Sequence, residues 1–242
     1  MSYIFREHIK QSLAVIAFLI TLTACTSESY DAGDGPNSYL TADLVLLHTS
    51  QDKSVRSALL DDGTTLQFSN PFVQDWLTRP DSVYRALLYY DKTVAASDAA
   101  ASNPTATSIV RARSVRPVSV LRPVEAEDME TLRTDPVGFE SLWMSKNKSY
   151  INLSLLLKSG KTEADDALHA LGIVSHGTTT DADRRRTLHL TLYHDQGGVP
   201  AYYTVQQYVS IPTQLLEEAD TVELTLNTYN GKKVVKVAVS NL

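Results

Sequence analysis

The chain has 242 residues, 43% of them hydrophobic and 21% charged, with a formal net charge of −6 at neutral pH. That balance suits one or two folded domains and excludes a disordered, collagen-like or multispanning membrane protein. A lone cysteine excludes an intramolecular disulfide and a thiolate zinc site, and the acidic balance lacks the basic footprint of nucleic-acid binding.

Residues 1–24 read as a lipoprotein signal peptide. Arg6 and Lys10 precede an apolar run from Leu13 to Leu22 that is too short to span a bilayer comfortably. Leu22-Thr23-Ala24-Cys25 has the form of a lipobox, whose cysteine is acylated and becomes the first residue of the mature chain, and Cys25 is the only cysteine present. The plainer alternative is a secretory signal followed by an incidental cysteine. Several acyl chains on Cys25 supply stable attachment, which a single chain does not.

Without residues 1–24 the net charge is −7, and it is unevenly placed. Residues 25–37 carry Glu28, Asp31 and Asp34 with no base, and read as a flexible acidic tether. Residues 124–145 carry six acids against Arg133. The blocks on either side of that segment are nearly neutral.

An all-β chain is expected from residue 38 onward. Leu40, Ala42, Leu44 and Leu46 share one face of a first strand. Asp61-Asp62-Gly63 is a turn between two short runs, Ser54 to Leu60 and Thr64 to Phe68. Val83, Arg85, Leu87 and Tyr89 alternate with Tyr84, Ala86, Leu88 and Tyr90. A long run from Thr105 to Leu121 places Ile109, Arg111, Arg113 and Val115 on one parity, with Pro117 at a bulge or edge. About five strands in residues 38–123 fit a small OB-like barrel better than a sandwich.

Residues 124–145 break the alternation and read as a connector. In residues 146–242 it returns in about six runs, among them Tyr150 to Leu157, Leu188 to Leu192, Ala201 to Val209 and Val222 to Leu226. Asn230-Gly231 signals a type I′ hairpin, and Thr162 to Leu171 has spacing that also suits a short helix. This half reads as an antiparallel β-sandwich.

The lipobox, Asp62-Gly63-Thr64, Asp135-Pro136-Val137, Ser141-Leu142-Trp143, Tyr150-Ile151-Asn152-Leu153 and Tyr208-Val209-Ser210-Ile211-Pro212, in this order, resemble the NigD-like lipoproteins over essentially the whole mature chain. The resemblance implies an OB-like N-terminal domain followed by a β-sandwich, and an immunity or accessory role in keeping with a family name taken from a bacteriocin-associated gene cluster. It implies no catalytic residue.

Several patterns invite a chemical reading. Gly160-Lys161-Thr162 matches the tail of a phosphate loop but lacks the leading glycine, since Leu155 stands in its place. His189 and His194 fall on opposite faces of one strand, so they read as ordinary histidines rather than a metal pair. Ser175-His176 lacks a nucleophile elbow. Asp181, Asp183 and Asp195 are the loop acids to test for a glycosidase-like pair. Asp81-Ser82-Val83 and Asp220-Thr221-Val222 resemble a bacterial O-glycosylation acceptor, or are simply strand starts.

Two surfaces stand out as candidate binding groups. Arg111 and Arg113, with Arg116 and Arg122 nearby, could clamp an anion, although an edge strand carries such charge for solubility alone. Trp143, Tyr202, Tyr203 and Tyr208 offer aromatic area for a sugar or a peptide, or for packing within the sandwich. The sequence therefore points to a non-enzymatic lipoprotein of the bacterial envelope, outer membrane by expectation, needing no cofactor or metal and presenting a surface to an envelope protein or a glycan. A hydrolytic lipoprotein is the alternative.

Overall fold

The computed structural model describes residues 40–92, 108–161, 168–216 and 219–239. The segments read as a signal peptide and a tether, with Cys25, and most of the segment with helix-like spacing at Thr162 to Leu171 lie outside them. The described residues form fourteen strands and two short 3-10 turns.

Strands β1 (Leu40–Thr49), β2 (Val55–Leu60), β3 (Thr65–Phe72), β4 (Val83–Lys92) and β5 (Ser108–Pro117) close into a barrel in the order β1-β2-β3-β5-β4. Gly63 makes the β2–β3 turn with φ +89°, a region a residue with a Cβ enters only under strain. The barrel is filled from the odd positions of β1, Val45 and Leu47, and from Ala86, Leu88 and Tyr90 of β4. The Leu40, Ala42, Leu44, Leu46 stripe shares the opposite face, outside the barrel. Leu44 is nevertheless 9% exposed, because it packs with Leu87 and Val118 against the second domain. Alternation separates the two faces of a strand without saying which one is inside.

β5 carries a bulge at Arg113, not at Pro117. Tyr89 pairs with Ser114 and Tyr90 with Ala112, which leaves Arg113 as an extra residue. The phase of the strand shifts there, so Val110 and Ala112 face the core on one side of the bulge and Val115 does so on the other. Pro117 ends the strand.

The chain then enters a sandwich. One sheet runs β14-β13-β11-β10-β7 and the other β6-β12-β9-β8. Their strands are β6 (Ser119–Val120), β7 (Pro123–Glu125), β8 (Gly138–Met144), β9 (Tyr150–Ser159), β10 (Ala170–Thr180), β11 (Arg186–Asp195), β12 (Tyr203–Pro212), β13 (Thr221–Thr228) and β14 (Gly231–Ala238). Segment 124–145, expected as a connector, contributes part of β7 and all of β8. Strands of two or three residues carry no period to read, and β8 is short and polar on one face. Adjacent strands are antiparallel except β6 with β12, β7 with β10 and β11 with β13. In the final hairpin positive φ falls on Gly231 and not on Asn230, so the turn is not the I′ type, which needs it at both central residues.

Ile151, Leu153, Leu155 and Leu157 of β9 meet Leu188, Leu190 and Leu192 of β11 and Val222, Leu224 and Leu226 of β13 in the sandwich core. The opposite face of β9 is also buried, yet it is polar. Asn152 and Ser154 lie there beside Ser210 of β12, all under the barrel. Into this face reaches Arg85 of β4, whose side chain is 1% exposed. Its two Nη atoms donate to the carboxylate oxygens of Asp61 at 2.5 and 2.7 Å, Nη2 also donates to Asn152 Oδ1 at 3.0 Å, and Nε donates to Ser210 Oγ at 3.1 Å. The guanidinium lies 4.4 Å from the centre of the Tyr150 ring. Asn152 Nδ2 in turn donates to Asp61 Oδ2 at 3.2 Å, so barrel turn, barrel strand and sandwich sheet share one network.

Replacing Arg85 with Met removes the cation from the half-buried Asp61 and one donor from each of the buried Asn152 and Ser210. The expected loss is about 3–5 kcal/mol, the range for breaking a buried ion pair from one side. Urea unfolding monitored by circular dichroism measures it; a loss below about 1 kcal/mol, typical of exposed pairs, would show that the network does not join the domains.

Candidate functional site

Beside that network the barrel and the sandwich part to form a cleft of about 670 Å³. Its barrel side comes from Ala42, Asp43 and Leu44 of β1, the turn residues Asp61 and Asp62, and Leu87 and Tyr89 of β4. Its sandwich side comes from Glu140, Ser141, Trp143 and Met144 of β8, Ser154 of β9 and Gln206 and Tyr208 of β12, with Lys146 at the end of β8. A volume of this size lies within the usual range for ligand pockets.

Local irregularities place the polar groups. In β8, Phe139 pairs with Leu155 and Ser141 with Ser154, so Glu140 is a bulged residue turned out of the ladder. Its Oε2 accepts from Ser154 Oγ at 2.6 Å and from Gln206 Nε2 at 2.5 Å, and these two bonds hold its carboxyl below the usual range. At Asp62 partial burial opposes ionisation, but bonds from Thr64 and the nearby Lys146 outweigh it and lower the pKa. Asp43 Oδ2 accepts the Tyr90 hydroxyl at 2.8 Å; burial first, then that bond, push the phenol well above its ordinary value. Asp61 is taken up by Arg85. Trp143 and Tyr208 meet edge to face, with ring centres 6.3 Å apart and planes at 84°. Both pack on the apolar seam of Leu44, Leu87 and Val118.

The aromatic group expected from the sequence thus divides. Trp143 and Tyr208 line the cleft. Tyr202 and Tyr203 are 78% and 50% exposed at the other end of β12, roughly 15–20 Å from Tyr208 at strand rise. There the Tyr202 ring crosses Gly160, where a Cβ would stand 2.8 Å from it. The arginine group lies elsewhere. Arg113 pairs with Asp91 on the barrel's outer surface, and neither it nor Arg111 lines the cleft. Arg116 and Arg122 are exposed.

The other patterns resolve individually. Asp181 accepts from the backbone N–H of Asp183 and Arg185 in the β10–β11 turn, while Asp195 accepts from Gly197 at the far end of β11. Ten residues of strand hold Asp195 roughly 30 Å from Asp181 and Asp183, so it cannot pair with either, while Asp181 is taken up by the backbone of its own turn. Ser175 is buried and accepts from Gly177 N, whereas His176 is exposed and bonds Thr191. Ser82 donates to Pro80 O in the turn before β4, and Thr221 opens β13. Among the described residues no three His, Cys, Asp or Glu are grouped to hold a metal ion.

His189 and His194 do face opposite ways. His189 lies outside with Thr179 and Glu223, while His194 is 1% exposed. The sequence reading missed its partner. His194 Nε2 lies 2.9 Å from His169 Nδ1, the rings stack at 5.1 Å, and His194 Nδ1 lies 2.9 Å from the Asp135 carbonyl. The carbonyl can only accept, so His194 Nδ1 carries a hydrogen and neutral His169 donates to Nε2. Burial, and next the neighbouring His194, hold His169 below its ordinary value of 6.5.

Residues 120–239 match the family described as NigD-like C-terminal beta sandwich domain. Among solved structures, the chain is similar to a NigD-like immunity protein from Bacteroides caccae, with TM-score 0.59 and 22% identity over 81% of this chain and 91% of that one. A predicted lipoprotein from Bacteroides fragilis gives TM-score 0.57 and 14% identity over 83% and 98%. A Bacteroides vulgatus protein of unknown function gives 0.56 and 16% over 82% and 90%. No curated protein matches the chain. At these identities the likeness is one of fold.

The histidine pair makes stability sensitive to acid. As pH falls below 6.5 the unfolded chain takes up a proton at His169 that the folded chain accepts only at lower pH, so stability present at pH 7.5 declines through that window. Thermal melts between pH 7.5 and 5 should show a shallower decline in His169→Gln than in the parent, and identical slopes would rule the pair out as the cause.

Proposed function

Through its C-terminal β-sandwich, residues 120–239, the chain belongs with the NigD-like proteins, and on that premise we propose that it is a non-enzymatic lipoprotein of the bacterial envelope, anchored at Cys25, that binds an envelope protein or a glycan in the cleft between its two domains. The observation that carries this reading is the cleft. Its aromatic rings, Asp43 and Glu140 stand on strands, Asp61 and Asp62 on the tight β2–β3 turn, and the buried Arg85 network fixes the two walls against each other. Preformed sites of this kind lose little freedom on binding.

Binding suits the site better than hydrolysis. A glycosidase needs one carboxyl group with a raised pKa to act as acid. Glu140 and Asp62 are both shifted the other way, and Asp61 is committed to Arg85. An immunity role is a property of the Bacteroides caccae relative that would fit a partner-binding cleft. Attachment through Cys25 rests on the lipobox, and is in keeping with the B. fragilis relative. No helix among the described residues is long and apolar enough to cross a membrane.

Two measurements test this reading. Cells fed an alkyne-bearing palmitate should label the full chain and lose the label in Cys25→Ser; an unchanged label sinks the anchor assignment. The full chain in detergent, screened on a glycan array and against solubilised envelope proteins, should bind at least one class, and Trp143→Ala should weaken that binding about tenfold or more, as for a truncated aromatic hot spot. Binding that survives the substitution would place the site outside the cleft.

A further inference from the structure

If the cleft is a binding site, the charges and backbone around it narrow what it takes. We propose that it receives an extended segment of a partner polypeptide, with a lysine or arginine side chain seated between the carboxylates and the aromatic rings. The inference rests on the cleft reading above and deepens it.

Charge complementarity is the first argument. The Arg85 guanidinium neutralises Asp61, which leaves Asp43, Asp62 and Glu140 against Lys146 alone. The lining therefore carries an excess of two negative charges around an aromatic wall. Each of the three carboxylates has at least one oxygen held by a donor of the protein: Tyr90 for Asp43, Thr64 for Asp62, Ser154 and Gln206 for Glu140. These bonds fix the carboxylates in place. An ammonium or guanidinium brings donors and the matching charge together. Trp143, Tyr208 and Tyr89 add faces that attract a cation through the ring quadrupole.

The backbone supplies the second argument, and it favours a polypeptide over a small amine. β8, which contributes Glu140, Ser141, Trp143 and Met144 to the cleft, is the outermost strand of its sheet. One side of its backbone has no strand neighbour in that sheet among the described residues. An extended segment can lie along such an edge and exchange main-chain hydrogen bonds while its alternate side chains enter the cleft. β14, an outer strand of the facing sheet, carries Lys232, Lys233 and Lys236, the charge by which an edge strand is kept from pairing, and its Lys233 Nζ lies 4.5 Å from the Phe139 ring at the start of β8, so the segment would lie along Ser141 to Met144. β8 has no lysine or arginine.

The test uses the full chain in detergent and two acetylated octapeptides, one with two arginines separated by a single residue and one with citrulline in both positions. Indole fluorescence follows the titration. The arginine peptide should bind about tenfold tighter or more than the citrulline peptide, and Glu140→Gln and Asp62→Asn should each weaken it about fivefold or more, as loss of a charge-assisted bond predicts. Both substitutions keep an acceptor for the internal bonds, so thermal melts should be unchanged. Raising salt from about 50 to 500 mM should weaken binding through screening. Equal binding of the two peptides, or no response to either substitution, overturns the proposal. If neither peptide binds but a neutral glycan does, and Trp143→Ala abolishes that, the cation falls and the cleft reading stands. If nothing binds, both fall.

Discussion

A buried guanidinium sets the terms of this structure. Arg85 can sit at 1% side-chain exposure only because its charge meets Asp61 and its nitrogens reach Asn152 and Ser210, and these partners come from three separate parts of the chain. A charge taken out of water without such partners is costly enough to prevent burial. The requirement fixes the angle and separation of barrel and sandwich more closely than an apolar contact would, since hydrogen bonds are directional and hydrophobic packing is not. The cleft borders this joint, and Asp61 belongs to both.

The same joint explains why one sheet of the sandwich is buried on both faces. A sandwich sheet normally shows an apolar face to its partner and a polar face to water. β9 keeps the apolar face, Ile151 to Leu157 at alternate positions, but its other face carries small polar residues that meet the barrel instead of solvent. Asn152 and Ser154 are too polar for a core and too small to cover a surface. Asn152 suits a contact whose other side is the barrel's Arg85, while Ser154 donates to Glu140 of the neighbouring strand β8 in the same sheet. Around them Leu44, Leu87 and Val118 exclude water, and Trp143 and Tyr208 carry that apolar seam into the cleft wall.

Function follows from where regular structure gives way. The bulge at Glu140 lifts one carboxylate out of the β8 ladder into the cleft, and the Asp61-Asp62-Gly63 turn delivers one carboxylate to the joint and the next to the cleft. The bulge at Arg113, by contrast, turns a cation toward Asp91 on the outer surface. Two bulges of the same kind thus serve different ends, and only their surroundings distinguish them.

Sequence by itself determined the all-β class, the five-strand barrel followed by a sandwich, and which residues of β4, β9, β11 and β13 share a face, because a strand's period of two is written into the order of its residues. It also offered a lipobox pattern, which lies outside the described residues, and named Trp143 and Tyr208, which line the cleft. Only the tertiary structure decided that Leu44 of the outward stripe of β1 joins an apolar seam with Trp143 and Tyr208, that residues 119–144 supply three sandwich strands, that Tyr202 and Tyr203 stand apart from Trp143, and that His169 meets His194. Each of these depends on what lies across a gap between residues distant in the chain, Arg85 and Ser210 being 125 positions apart. A local pattern of polarity fixes which way a side chain points relative to its neighbours, and the partner that makes it core, joint or site arrives only with the packing.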